Sequence, residues 1–544
     1  MAHSLPRQDA EKIFSRLAPF IDEKGLLGDL RGTLSRAPER LAGPVRLAVV
    51  GQIKRGKSTL VNALIGQRLA ATGPLETTFR INVFKYGGER SARAFFSDRP
   101  SADVPLESLA SLTVRDPGRE AELATLKRVV ITLPEHLLRS FELIDTPGLY
   151  SVYVTDSANA LEVIDPEQAA RMTKVSAEEL QGADAVLYMF SRDLGGADTE
   201  VVGRFLGVAG RYPLGAMRTI GIVSKCDSYW PPPAGADPLG YDPIKAVGQQ
   251  KVSDYLTAEP ELGRLFYEII PIAGLVAEGA QTIPAEWFNW LQYLAGRAPD
   301  ELLRLLRYRS MFTRDELPGV TLSAQQRRDL DGSLGPWGIL LACRYLLDNC
   351  SEEEVRKKLV ADSGVQRVRD LAVSQFGERR RLIKLDAILG DIRRNIDDLP
   401  APHSRSAEAN EQVTRVQDAV ERISDREEGL QAIQVLRLAG QRRLPLGGPE
   451  LGRLCRLLDP GTSCAARLGL PDSTPPAVLV EVADAEVTRW QRRTDDLAST
   501  DPEALAAIRL VLRTAEGIQS QVRKADQMLR KADQLREKAR LLLD

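Results

Sequence analysis

The chain of 544 residues has material for three or four domains at about 150 residues each. Lys and Arg number 73 against 75 Asp and Glu, a formal net charge of −2, which excludes a global basic field for coating nucleic acid. Apolar residues at 43% and charged residues at 27% are ordinary for a folded, water-facing protein, and no apolar run approaches the ~20 residues that would span a bilayer. Five cysteines without a C-x-x-C pair and three scattered histidines argue against a disulfide framework or a zinc centre. Residues 1–7 lead straight into charged positions without the apolar core of a signal peptide, so a cytoplasmic chain is expected.

In chain order, residues 8–41 read as helix, with Ile13, Leu17, Phe20, Ile21, Leu27 and Leu30 at roughly helical spacing. From Pro44 the pattern changes to short β-branched runs, and strands are predicted at 45–50, 79–86, 129–133, 141–145, 185–190, 219–224 and 267–272. Helical stretches at 58–65, 176–181 and 200–209 alternate with them, which predicts an α/β domain with a mostly parallel sheet and helices on both faces. After Gly279 strand signals nearly vanish, and long helices follow, broken around Pro318, Gly335 and Pro336, 399–402, 444–449 and 471–476. The expected domains are N-terminal helices at 1–43 joining a helical bundle, a nucleotide-binding domain at 44–278, and an extended helical neck and stalk at 279–544. Trp287, Trp290, Leu291 and Leu294 share a face expected to be a joint between domains, with a membrane interface as the alternative. The stretch 441–448 sets basic residues beside apolar ones and is expected to be a plain connecting loop, with an anionic membrane surface as the alternative, and Arg379, Arg380, Arg381 and Lys384 read as a solvated helix face. Ile518, Val522, Ala525, Leu529, Ala532, Leu535, Ala539 and Leu542 form a near-heptad seam expected to pack within its own bundle, with coiled-coil pairing between chains as the alternative.

The chemistry is carried by four short motifs. Gly51-Gln52-Ile53-Lys54-Arg55-Gly56-Lys57-Ser58, followed by Thr59 in a helix, fits G-x-x-x-x-G-K-[ST] between an apolar strand and a helix. Glycines there let backbone N–H groups wrap a phosphate at the helix N-terminus; Lys57 would reach the β- and γ-phosphates, and Ser58 would ligate Mg²⁺. Asp145-Thr146-Pro147-Gly148 ends a strand with a carboxylate that can hold Mg²⁺ through water and a Gly148 N–H for the γ-phosphate. Ser224-Lys225-Cys226-Asp227 ends another strand, and Asp227 can accept two hydrogen bonds from guanine N1–H and its exocyclic amine while the Lys225 stem covers the base. Adenine would leave that carboxylate unsatisfied, at about 1–3 kcal/mol, so the expected substrate is GTP, hydrolysed to GDP with Mg²⁺. Ala273, in Ile270-Pro271-Ile272-Ala273-Gly274, is expected on a last base-contacting loop.

Together these elements mark the GTPase superfamily, and residues 52–66 resemble the phosphate loop of bacterial dynamin-like proteins. Residues 69–78 resemble that family's first switch, where a threonine closes over Mg²⁺ and the γ-phosphate; the resemblance gives that role to Thr78, with Thr77 second. Gly335-Pro336-Trp337-Gly338-Ile339, Ser363-Gly364-Val365 and 461–470 resemble the actinobacterial isoniazid-inducible branch of the family. The resemblance implies self-pairing through GTPase domains into a dimer or higher oligomer, and possible pairing with a paralogous dynamin-like protein. It also implies peripheral attachment to an anionic phospholipid membrane at its inner face, remodelled as a stalk moves. The competing expectation is a soluble GTP-dependent switch or assembly factor that acts on a protein partner; neither involves nucleic acid. Four departures stand out: Ser224 where Asn or Thr is usual, Leu149 where a water-orienting glutamine could follow, Ile53 where eukaryotic dynamins carry glutamine, and Lys54 where some dimerising relatives carry an arginine finger. Slow intrinsic hydrolysis is therefore expected, accelerated when two domains meet and Lys54 or the adjacent Arg55 supplies a cation.

Overall fold

A computed structural model of the chain describes residues 8–22, 25–51, 55–70, 81–109, 125–146, 183–190, 218–259, 265–317, 319–426, 428–440, 444–458, 463–497 and 501–541. The chain divides into two compact units, Gly43–Ile383 and Met1–Ala42 together with Lys384–Asp544.

Among the described residues the first unit is built on nine strands: β1 (Val45–Gly51), β2 (Ile81–Tyr86), β3 (Ser91–Phe96), β4 (Ala102–Val104), β5 (Leu126–Leu133), β6 (Phe141–Asp145), β7 (Ala185–Phe190), β8 (Thr219–Val223) and β9 (Ile269–Pro271). They lie in the order β4-β3-β5-β2-β6-β1-β7-β8-β9. From β6 through β9 every neighbouring pair is parallel, whereas β2 runs antiparallel to β6 and β3 antiparallel to β5 and β4. The apolar runs of β1 and β7 are buried throughout apart from a half-buried Arg46, as strands covered on both faces must be. Two strands escaped the sequence reading. In β3 only Ala92 and Ala94 are buried, so the alternation sits on residues too small to show as a hydrophobic pattern, and β4 has three residues. The predicted helices at 176–181 and 200–209 lie outside the described residues.

Among the described residues the longer helices of this unit are α3 (Lys57–Ile65), α4 (Gln249–Ala258), α5 (Gly274–Thr282), α6 (Trp287–Ala295), α7 (Pro299–Arg307), α8 (Ala324–Leu347), α9 (Glu352–Asp362) and α10 (Val365–Ala372). Capping boxes start α8 at Ser323 with Gln326 and α9 at Ser351 with Glu354. Gly335 interrupts α8 with φ 63°, and Pro336 follows it, lacking an N–H to continue the ladder. Packing places the unit boundary after Ile383, not at 278. Val276, Ala280, Leu291, Leu294, Leu330, Leu334, Trp337 and Leu359 share one core with Val50, Ile144 and Tyr188 of the sheet. The aromatic face of α6 is part of that core: Leu291 and Leu294 are fully buried, and the half-buried Trp287 and Trp290 stack at 4.9 Å.

In the second unit the predicted N-terminal helix is two, α1 (Gln8–Leu17) and α2 (Gly28–Ala42). The chain turns between them near Pro19 and Gly25, leaving Phe20 exposed while Ile21 and Leu27 stay buried. Helix α2 joins α11 (Arg380–Asp397) through Arg40 on Asp391 at 2.5 Å and Asn395 donating to Thr33 Oγ1 at 2.8 Å. Arg379 and Lys384, read as solvated, are both buried: Arg379 donates to Gln375 one turn earlier, and Lys384 sits among the buried Ile383, Leu385, Ile388 and Leu389. Among the described residues the longer helices before the last are α12 (Ala407–Arg426), α13 (Glu428–Gly440), α14 (Gly448–Leu457) and α15 (Pro476–Leu497). The chain's last helix, α16 (Pro502–Leu541), packs against α15 around Trp490, Ile508, Val511, Ile518 and Val522. Beyond Val522 the seam positions Ala525, Leu529, Ala532 and Leu535 are exposed. Of the 441–448 stretch, 441–443 lies outside the described residues, while Leu444 and Leu446 pack into this unit's core. Among the described residues no helix is long and apolar enough to cross a membrane.

Candidate nucleotide site

Strand β1 delivers the chain to the site between β6 and β7, its parallel neighbours. Gly51 closes the strand at φ 152°, where a Cβ would stand 2.6 Å from the Met189 carbonyl oxygen and 2.8 Å from the Met189 Cβ, so only glycine passes β7 this closely. Gly56 caps α3 at φ 85° with open space around it, so there the requirement is conformational. Lys57 and Ser58 follow in the first turn of α3, whose backbone N–H groups have no partner within the helix. The Ser58 hydroxyl donates to Asp145 Oδ2 at 3.0 Å, and Thr146 next door donates to the Val49 carbonyl at 2.7 Å, fixing the end of β6 against β1.

This cluster is buried and charged. Burial pushes the Asp145 carboxyl up to about 6, against the pull of Lys57 and the Ser58 hydroxyl, and Asp145 Oδ1 is buried with no hydrogen-bond partner among the described residues. Burial brings the Lys57 ammonium down to about 8, Asp145 opposing and Arg55 adding to the effect. Desolvated charges of this kind call for counter-charges. A phosphate beside Lys57 and a divalent cation beside Asp145 and Ser58 answer both, so the residues fit Mg²⁺ with a nucleoside triphosphate. Thr59 follows in the same turn, its Cγ2 3.7 Å from where a Cβ on Gly274 would sit.

At the other end, Ser224 is buried and donates to the Phe190 carbonyl at 3.2 Å, which locks the turn after β8 to β7. Lys225 is exposed in a left-handed conformation, φ 60°. Asp227 Oδ1 is buried without a partner among the described residues, and burial raises its carboxyl to about 6 against its own backbone N–H, Lys225 and Arg309. An unclaimed buried carboxylate oxygen is what a donor edge such as that of guanine requires. Ala273, expected at the base, is fully buried, and its N–H donates to the Ser363 carbonyl at 2.9 Å.

Residues 47–201 match the Dynamin family. Over that stretch the chain is similar to the dynamin GTPases. Over 498 residues it is 28% identical to isoniazid-induced protein IniC of Mycobacterium tuberculosis, covering 91% of this chain and 94% of that protein. Dynamin-like protein 2 of Campylobacter jejuni is 33% identical over 105 residues, 19% of this chain and 17% of that one. A solved structure of an oligomerised bacterial dynamin pair covers 99% of this chain and 79% of its own at 12% identity, with a TM-score of 0.33, too loose a likeness to bear on how the helices are arranged.

Of the residues expected at the site, Gln52, Ile53, Lys54, Thr77, Thr78, Gly148 and Leu149 lie outside the described residues. Arg55 is half-buried beside Lys57. Sequence reasoning missed Asn62, fully buried on α3. Its Oδ1 accepts from the N–H groups of Leu69 and Ala70 at 3.0 and 2.8 Å, and its Nδ2 donates to the Ala70 carbonyl at 2.8 Å and Glu278 Oε1 at 2.7 Å. All four of its hydrogen-bonding positions are filled, and they hold the chain leading into 71–80 against the phosphate helix. The signal was there: an asparagine inside an otherwise apolar helix has to find partners.

Proposed function

We propose that this GTPase couples GTP binding, pairing of two GTPase domains and hydrolysis to GDP and phosphate to movement of its helical part, acting peripherally at the inner face of a cell membrane on anionic phospholipid. The observation that supports it best is the buried set at the start of α3: Lys57 held below its usual pKa, Ser58 on Asp145, and Asp145 Oδ1 without a partner among the described residues. In this reading Lys57 holds the β- and γ-phosphates, residues 51–59 and Gly148 supply backbone N–H groups, and Ser224, Lys225 and Asp227 select guanine. Ser58, Asp145 and Thr78 would hold Mg²⁺, which when bound neutralises charge on the phosphates. Lys54 or Arg55 supplies a cation to the transition state in cis or across the pair, either between two copies or with a paralogous chain.

One observation favours a second reading, a soluble switch acting on a protein partner: the α6 aromatic face and Leu444 and Leu446 all turn into cores. GTP turnover measured against protein concentration, with and without anionic liposomes, separates the two, together with co-sedimentation. Turnover that rises with protein and again with liposomes, with pelleting in the GTP state, supports the membrane reading. Turnover without pelleting in any nucleotide state supports the switch, and no turnover under any condition defeats both.

A further inference from the structure

The loops assigned to guanine are held from behind by the helices that follow the sheet. The Asp227 loop hangs on loop 271–273, because the Cys226 N–H donates to the Ile272 carbonyl at 3.0 Å, while the Ile272 N–H donates to Val223 at 2.8 Å. Loop 271–273 in turn rests on the turn between α9 and α10 through the bond from the Ala273 N–H to the Ser363 carbonyl, 2.9 Å. That turn is built for close approach. Gly364 has φ 77°, and a Cβ there would stand 2.7 Å from the Pro271 carbonyl oxygen. Ser363 is fully buried, and its hydroxyl donates to Val360 at 2.6 Å and accepts from the Val365 N–H at 3.2 Å. Further along α10, Arg369 donates to the Ala63 and Leu64 carbonyls at 2.5 and 3.0 Å, so the turn is referenced to the end of the phosphate helix. From α8, the Gly335 kink brings backbone against Asp227: a Cβ there would lie 3.7 Å from Oδ2.

We propose that the Ser363-Gly364 turn is a positioning element for guanine recognition, setting the height of loop 271–273 and, through the Cys226 to Ile272 bond, the placement of the Asp227 carboxylate. The inference rests on the reading of Asp227 as the guanine acceptor. Neither Ser363 nor Gly364 need touch the base. They fix the backbone that carries the residue that does, in the way rigid support fixes any recognition group. Selectivity for the base is then shared between the sheet loops and the turn from α9 to α10, two stretches far apart in sequence.

The test is competition for a fluorescent GTP analogue on the full chain, using GTP and inosine triphosphate, which lacks the exocyclic amine. Wild type should prefer GTP by roughly tenfold or more, the worth of one hydrogen bond to a carboxylate. In Gly364→Ala, whose Cβ has to push the Pro271 carbonyl away, GTP affinity should drop by about tenfold and the preference shrink to within about threefold. Ser363→Ala, which loosens the turn without adding an atom, should move both in the same direction by less; it carries the test if Gly364→Ala does not fold. An undiminished preference in the folded variants, or equal losses of GTP and inosine triphosphate, overturns the proposal. A wild-type chain with no preference overturns the guanine reading itself, and this inference with it.

Discussion

Asp145→Asn should make the nucleotide-free protein more stable while abolishing its turnover. The carboxyl rises from 3.8 to about 6 on folding. At 1.36 kcal/mol per unit, the ionised carboxylate destabilises the fold by about 3 kcal/mol at pH 7. Because the folded value is the raised one, stability is highest at low pH, falls as pH climbs from 3.8 through about 6, and is level above that. Asparagine keeps an oxygen for the Ser58 hydroxyl but gives up the attraction that helps keep Lys57 charged, so the net gain at pH 7.5 should be about 1–2 kcal/mol. Between pH 7.5 and 5 that advantage should shrink by about 1 kcal/mol, as the wild-type carboxyl takes up its proton. Urea unfolding followed by tryptophan fluorescence reads the relevant unit, since Trp230, Trp287, Trp290 and Trp337 lie in Gly43–Ile383 and Trp490 does not. A variant no more stable than wild type at pH 7.5, or stabilised equally at both pH values, would refute the reasoning.

Lys57→Ala should weaken GTP binding by roughly 10–100-fold in a fluorescent-nucleotide titration, the worth of a charge-assisted contact to phosphate, without lowering nucleotide-free stability. Asn62→Ala should destabilise the GTPase unit by about 2–4 kcal/mol, because the Leu69 and Ala70 N–H groups and Glu278 lose their partner together. Its melting temperature should drop by about 5 °C or more, and an unchanged melt would show the network to be without weight. Lys54→Ala and Arg55→Ala, each assayed for GTP turnover across protein concentration, should flatten the rise with concentration in at least one variant; unchanged curves in both would remove the cation from the scheme.

The phosphate end was legible because its physics is local. A strand end, two glycines with special backbone conformations and a lysine at a helix start lie within eight residues: Gly51 closes β1, Gly56 caps α3 and Lys57 opens it. Asp145 and Asp227 were legible for the same reason, each standing just past or at the end of an apolar strand. What could not be read was long-range. The bond from Asn62 to Glu278 spans 216 residues and that from Arg369 to Ala63 spans 306, and neither leaves a mark on sequence spacing. Burial of Lys384 was hidden for a related reason: the run of arginines beside it suggested a solvent face, while Lys384 lies between the buried Ile383 and Leu385. Ala273 shows the limit of motif logic, since the N–H expected on a base-contacting loop is taken by the carbonyl of Ser363, 90 residues away.

The core shared by β1, β6 and β7 with α5, α6, α8 and α9 decides what can be exchanged among relatives. A graft ending at 278, where the base-loop motif runs out, would sever Val276 from Leu334 and Trp337 and present a raw apolar face to solvent. Seams at 42/43 and 383/384 leave that core whole. The heritable cassette is therefore larger than the motifs that advertise it, and substitutions in helices well past the last nucleotide motif belong to the evolution of the GTPase rather than to that of the stalk.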